Sequence, residues 1–232
     1  MPQQQDKTAI RDAATMIVIR DRTTAPRILM GQRGAKAAFM PSKFVFPGGA
    51  VDADDADTAL ARPLTELCQS RLTEASPGVS PHALAVAAIR ELWEETGLIL
   101  GRNEPWQQPP PDWQGFAEQG YMPDAWPMQF IFRAITPPGR PRRFDARFFL
   151  LDADALANDL DDFSGASDEL SHVQWVPLAR ARSLDMPFIT EVVLAEVEAR
   201  AADPSPPATV PFFKNDDEES LFLRLKGVRP TS

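Results

Sequence analysis

Apolar residues recur along this chain with two distinct periods. Ala13–Arg20 (AATMIVIR) is an apolar, partly β-branched run that fits a buried pleated surface. A polar stretch over Asp21–Pro26 separates it from Arg27–Gln32 (RILMGQ), so the pair predicts a hairpin. Phe44-Val45-Phe46 is a third extended piece, stopped by Pro47-Gly48-Gly49. Leu60–Leu72 carries a weak helical period. Between Pro81 and Thr96 the period is plainly helical, with Leu84, Ala88, Leu92 and Trp93 on one stripe. Ser80 is placed to cap that helix and Gly97 to stop it. Leu98–Leu100 then reads as a return to the sheet. Further strands are expected at Met128–Ile135, Arg147–Leu151, His172–Val176 and Leu221–Leu225, and an amphipathic helix at Phe188–Arg200.

The connecting segments are distinctive. Asn103–Pro127 holds six prolines and three tryptophans and predicts a long structured loop. Thr136–Arg143 is a basic, Pro-rich turn, Asp152–Glu169 is acidic without Lys or Arg, and Pro204–Pro211 is a Pro-rich connector. Neither an internal repeat nor a linker long enough to split two domains is visible. Strands interspersed with helices predict an α/β architecture around a mixed β-sheet, folded as one domain over residues 8–232.

Composition narrows the chemistry. The net charge of −9 argues against an electrostatic nucleic-acid binder, because neutralising phosphates needs a basic surface. A phosphate-bearing small molecule stays open if a metal ion supplies the positive charge. The single Cys68 excludes an internal disulfide and any Cys-rich zinc cluster. No apolar run approaches the ~18 residues of a membrane span, and Met1–Arg11 is too polar for a signal peptide. The expected setting is cytoplasmic, with no membrane partner.

One stretch carries chemistry: Arg90-Glu91-Leu92-Trp93-Glu94-Glu95-Thr96-Gly97-Leu98. On a helix Glu91, Glu94 and Glu95 stand at i, i+3 and i+4, so their carboxylates share one face. Clustered anions repel unless a cation lies among them. Oxygen-only ligation suits hard Mg²⁺ or Mn²⁺, ions matched to phosphate chemistry. Arg90, four residues before Glu94, is spaced to pair with it. The competing interpretation is a solvated Glu-rich helix end, which is common. Against it, glutamates near a helix C-terminus oppose the macrodipole with no structural return.

These residues resemble the second half of the Nudix box, G-x5-E-x7-R-E-U-x-E-E-x-G-U with U a bulky apolar residue; all seven specified positions of that half are present. Pro47-Gly48-Gly49 is similar to the turn that opens the box, which makes Gly49 its first glycine. Two departures follow. Asp55 stands six residues beyond Gly49 where the family has Glu, and Gly49 lies 41 positions before Arg90, an excess of 27 over the uninterrupted spacing. The resemblance therefore implies an insertion inside the box, at about residues 56–81, which a loop tolerates because closure entropy grows slowly with length. An interrupted box is similar to the branch that includes peroxisomal coenzyme A diphosphatases.

The resemblance implies a Nudix fold, an α/β/α sandwich, with residues 186–232 as a C-terminal elaboration. It implies hydrolysis of a diphosphate linkage in a nucleoside diphosphate joined to another moiety, with coenzyme A or a related nucleotide conjugate as substrate. Glu94 and Glu95 would bind Mg²⁺ or Mn²⁺, Glu91 would be a further ligand or the base, Arg90 would hold the glutamates, and the Gly49 carbonyl would complete the metal shell. A catalytically weak scaffold that binds a nucleotide metabolite as sensor or regulator is the alternative.

Other residues are weighed beside these. Asp55 sits among Asp52, Asp54 and Asp57, where a solvated acidic turn is the favoured reading. Glu169 or Asp168 could supply a distal acid, whereas His172 and His82 read as structural and Cys68 as a buried thiol. Arg33 to Gly49 (RGAKAAFMPSKFVFPGG) resembles a coenzyme A signature, with Gly34, Ala38 and Ser42 departing from it. Arg33, Lys36 and Lys43 could meet substrate phosphates or be surface charge. Trp106, Trp113, Tyr121 and Trp126 could stack on a base, although packing against the core or a homodimer contact is the favoured role for most of them.

Overall fold

A computed structural model describes residues 9–35, 37, 40–76, 78–215 and 220–227. Strands β1 (Ile10–Arg20) and β2 (Arg27–Arg33) form the expected hairpin, with Ile19 opposite Ile28. Two short strands follow, β3 (Phe44–Val45) and β4 (Gly48–Ala50). A 3₁₀ turn at Ala53–Ala56 leads to α1 (Glu66–Thr73) and then to α2 (Pro81–Thr96). The middle of the chain holds β5 (Gly101–Asn103), α3 (Gln114–Glu118) and β6 (Tyr121–Pro123). The long strands β7 (Gln129–Ile135) and β8 (Arg143–Asp152) come next, then β9 (Leu170–Pro177) and α4 (Phe188–Arg200). Two strands, β10 (Val210–Asn215) and β11 (Ser220–Leu225), end the described chain.

Nine of the described strands make one mixed sheet in the order β11-β10-β7-β8-β1-β2-β3, with β4 paired to β1 and β9 to β2. Strands β1 and β8 run parallel, as do β7 and β10; the remaining pairs are antiparallel. Alternation along β1 sorts the two faces. Ala14, Met16 and Val18 join the core beneath α2, while Ile17 and Ile19 join a second core with Val193, Leu194 and Val197 of α4. A sheet buried on both faces between helices is the α/β/α sandwich expected of the sequence. No helix among the described residues is long and apolar enough to cross a membrane.

Helix α2 forms where its signals placed it. The Ser80 hydroxyl accepts from the Ala83 amide at 3.0 Å, and Pro81 opens the first turn. Gly97 ends it at φ +74°, a left-handed conformation that favours glycine, with its amide donating to Trp93 O. Leu84, Ala88 and Leu92 are fully buried, and burial continues around most of the helix because both the sheet and α1 pack on it.

Three expectations need correction. Leu98–Leu100 is buried but unpaired in any sheet: the Ile99 amide donates to Asn158 Oδ1, and Ala157 and Asp124 amides donate to Ile99 O and Leu100 O. Its apolar character comes from packing between α2 and two loops. The segment Asn103–Pro127 is not one loop, since it contains α3 and β6, the latter paired to β5 in a separate two-stranded sheet. Strand β10 begins inside the presumed connector. Pro211 lies opposite Arg224 of β11, and the register to β7 starts only at Phe212.

Candidate active site

Three elements build the site. Strand β4 lies antiparallel to β1, with Gly49 opposite Ala14, which carries the glycine turn across the glutamate face of α2. The 3₁₀ turn Ala53–Ala56 then folds its acidic residues back onto the same helix. The approach is close. A Cβ at Gly49 would stand 2.3 Å from Glu91 Oε1, so only glycine leaves room for that carboxylate.

Arg90 is the hub. Its Nε and Nη2 donate to Asp55 Oδ1 and Oδ2 at 3.0 and 3.1 Å, a bidentate pair. Its Nη1 donates to Glu91 Oε1 at 3.0 Å and to Glu94 Oε2 at 3.2 Å, and Nη2 also reaches Ala50 O at 3.0 Å. Burial works against the guanidinium charge, but the Asp55 hydrogen bonds and the fields of Glu91, Asp55 and Glu94 hold it above its ordinary value. The expected pairing of Arg90 with Glu94 is present.

Asp55 overturns the expectation of a solvated acidic turn. It is 2% exposed, joined to Arg90, and its Oδ2 accepts from the Asp52 amide at 2.8 Å. The clue lay in its position six residues after Gly49, where an acid is needed to meet the arginine 35 residues later. The surrounding aspartates masked it.

The three glutamates differ in environment. Burial raises the Glu91 carboxyl to about 7; Arg90 opposes the rise and Glu94 adds to it. Glu94, half-exposed, is raised by the same loss of solvent, with Arg90 again opposing. Glu95 is pushed well above its ordinary value, by burial first and then by the charge of Glu91, against one hydrogen bond from the Gly48 amide. That amide donates to Glu95 Oε2 at 2.8 Å, whereas Oε1 is buried with no partner. An orphaned carboxylate oxygen beside the charge of a second carboxylate, Glu91, is an arrangement that a cation would complete. The described residues nonetheless hold no group of three or more acid, His or Cys side chains gathered around one point. Glu91 and Glu94 turn toward Arg90 instead.

A cleft of about 880 Å³ opens against this site, with Gly49 and Glu91 on its wall. Arg33, Lys43, Asp168 and Glu169 also line it. Arg33 Nη2 donates to Glu169 Oε1 at 3.0 Å while its Nε is buried without a partner, and Lys43 is paired with Asp185. Lys36 and Ala38 lie outside the described residues. His172 is exposed, His82 sits 2.7 Å from Thr58 O, and Cys68 is buried, all apart from the cleft lining. The loop tryptophans are also elsewhere. Trp113 is buried edge-on against Trp106 and Phe116, and Trp126 is half-exposed beside Arg62.

No family model matches the chain. A solved Nudix hydrolase of Alicyclobacillus acidocaldarius is 30% identical, with a TM-score of 0.64, over 85% of this chain and 94% of that one. A putative nudix hydrolase 7 of Caenorhabditis elegans is 28% identical over 178 residues, 71% of this chain and 50% of the relative. The acyl-coenzyme A diphosphatase NUDT19 of Gallus gallus is also 28% identical over 178 residues, 53% of this chain and 47% of the relative. The chain thus spans about half the length of the curated relatives it matches. Sequence likeness across nearly the whole of a solved relative, on the same fold, places the chain in the Nudix hydrolase family.

Proposed function

We propose that this chain hydrolyses the diphosphate linkage of a nucleoside diphosphate joined to a second moiety, using Mg²⁺ or Mn²⁺ held by the glutamates of α2. The observation that carries the reading is Glu95: a buried carboxylate with one oxygen on the Gly48 amide and the other without a partner, beside Glu91. Glu95 and Glu94 would hold the ion, Glu91 would be a further ligand or the base, and the Gly49 carbonyl would complete the shell. When bound, the ion neutralises the diphosphate and makes water a better nucleophile.

The chain's own groups do the positioning. Arg90, clamped by Asp55, fixes Glu91 on the cleft wall and holds Glu94 on the same helix. Glu91, with its carboxyl raised to about 7, is suited to take a proton from an attacking water near neutral pH. Arg33, with a buried free Nε in the cleft lining, is placed to meet a substrate phosphate, and Lys43 and Glu169 lie on the same wall. Phosphoryl chemistry of this kind depends mainly on such positioning and charge stabilisation.

Likeness to an acyl-coenzyme A diphosphatase supports coenzyme A or a related conjugate as the substrate class. Residues 8–232 then form one domain, with about 56–81 an insertion in the box and 186–232 an elaboration. A second reading, a weakly catalytic scaffold that binds a nucleotide metabolite, is favoured by the turning of Glu91 and Glu94 toward Arg90. A panel of coenzyme A, acyl-coenzyme A, NADH, ADP-ribose and dinucleoside polyphosphates with Mg²⁺ or Mn²⁺ separates the two. Hydrolysis of at least one member is expected; binding without turnover of any member selects the scaffold.

A further inference from the structure

A segment that stays out of the cleft grips one of its walls. None of the described residues between Ala50 and Glu91 lines the cleft, so the stretch proposed as an insertion in the box lies apart from it. Helix α1 packs on the far face of the sheet, where Cys68 and Leu72 join the core beneath α2. Phe213 and Asn215 of β10 line the cleft, and Phe213 packs on the α4 core. The two sides meet through the β10–β11 hairpin. Its open end is where Val210 faces Leu225, and Arg71 of α1, 1% exposed, reaches both legs there. Arg71 Nη2 donates to Pro207 O and Ala208 O at 2.7 and 3.0 Å, just before β10, and Nε donates to Lys226 O at 3.2 Å, just after β11. Glu74 Oε2 accepts from the Lys226 and Gly227 amides at 2.8 and 2.9 Å. Gly227 holds φ +66° at that point, and a Cβ on it would stand 2.7 Å from Arg71 Cγ.

The clamp is itself tied to the sheet. Arg133 of β7 donates from Nη1 to Glu74 O and Ala75 O at 3.3 and 3.0 Å, and its guanidinium lies 4.2 Å from the centre of the Phe212 ring. Strand β10 is in register with β7 over Phe212 and Phe213, and at the turn end Asn215 Nδ2 donates to Ile135 O at 2.8 Å. Val210, Phe212 and Leu225 are buried beside α2. Apolar burial has no direction, so it holds the hairpin against the sheet without fixing where it sits. Hydrogen bonds to an ionised partner are directional and stronger than neutral ones, and Arg71 and Glu74 supply five of them at the open end.

We propose that Arg71 and Glu74 are positioning residues for the cleft: from the far face of the sheet they set the place of the β10–β11 hairpin, and with it the wall formed by Phe213 and Asn215. Substrate affinity then depends on a segment that never meets the substrate. The inference rests on the cleft being the substrate site of the proposed hydrolysis. The chemical step belongs to the α2 glutamates and does not feel the clamp. The competing account is that the clamp only stabilises the fold. Loosening it would then lower the active fraction, and so the apparent kcat, with KM unchanged.

The test compares the full chain as wild type, Glu74→Ala, Glu74→Gln and Arg71→Met on the best substrate of the panel in Mg²⁺. Glu74 is half-buried, so Glu74→Ala removes the acceptor of two amides without opening the core, whereas Glu74→Gln keeps an oxygen for them. KM should rise roughly 10-fold in Glu74→Ala and Arg71→Met, because apparent affinity falls with the fraction of molecules whose wall is in place. The kcat should stay within about two-fold of the wild type, and Glu74→Gln should restore KM. Hydrogen exchange over residues 210–215, read by mass spectrometry, should quicken roughly 10–100-fold in Glu74→Ala while α2 is unchanged, the scale of lost hydrogen bonds to a charged group. If Arg71→Met does not fold, Glu74→Ala decides. A fall in kcat at unchanged KM, equal constants in all the proteins, or unaltered exchange over 210–215 overturns the positioning role. If the wild type hydrolyses no member of the panel, the proposed hydrolysis fails, and calorimetric affinity for coenzyme A in Mg²⁺ takes the place of KM. A roughly 10-fold weakening in Glu74→Ala then upholds the positioning role, and unchanged affinity, or no binding to the wild type, overturns it.

Discussion

Replacing Glu91 by Gln should stabilise the metal-free protein and should do so only above mid-acidic pH. The carboxyl is 11% exposed, and burial raises it from an ordinary 4.5 to about 7. The folded state thus holds a proton between those values that the unfolded state has released. Stability from the protonated form is fully present below pH 4.5, falls as pH rises, and is lost above 7. At 1.36 kcal/mol for each pH unit, the ionised carboxylate costs about 3 kcal/mol at pH 8 and less than about 1 kcal/mol at pH 5. Glutamine keeps the shape and the oxygen facing Arg90 without the charge. In excess EDTA, urea unfolding should show Glu91→Gln more stable than the wild type by about 3 kcal/mol at pH 8, a midpoint shift of roughly 1 M. At pH 5 the two curves should nearly coincide. A variant equal to or weaker than the wild type at pH 8 would refute the electrostatic account of this cluster.

The neighbouring residues give sharper contrasts. Mn²⁺ should raise the wild-type Tm in proportion to the logarithm of its concentration. Glu95→Gln should abolish most of that rise, read by thermal scanning in EDTA and in Mn²⁺. Asp55→Ala removes the bidentate partner of Arg90 and should cost about 3 kcal/mol in urea unfolding, the scale for a broken buried pair; a loss under 1 kcal/mol would mean a solvated turn after all. Gly49→Ala places a methyl 2.3 Å from Glu91 Oε1 and should lower kcat on any hydrolysed substrate while far-UV dichroism stays unchanged.

Signals that act within a few residues were legible in the sequence. Ser80, Pro81 and Gly97 bound α2 to the residue, and the Arg90–Glu94 pair is a local helix contact. Long-range satisfaction was not legible. Asp55 looked solvated because its partner is 35 residues away. The start of β8 at Arg143 was hidden for a related reason. Asp145 and Arg147 are polar yet buried, because Arg133 donates to Asp145 at 2.8 Å across the neighbouring strand. Leu98–Leu100 was apolar enough for a strand, but loop and side-chain groups take its backbone hydrogen bonds. Tertiary pairing decided each of these, and no periodicity records it.

The central claim is that a divalent ion held by the α2 glutamates drives diphosphate hydrolysis. Wild type and Glu95→Gln, matched for fold by dichroism and by Tm in EDTA, should be compared on the best substrate of the panel. The assay chromatographs the nucleotide products in Mg²⁺, in Mn²⁺ and in EDTA. The account predicts turnover by the wild type with metal, none in EDTA, and a loss of at least about 100-fold in Glu95→Gln. Undiminished hydrolysis in EDTA, or equal rates for the two proteins, would contradict it.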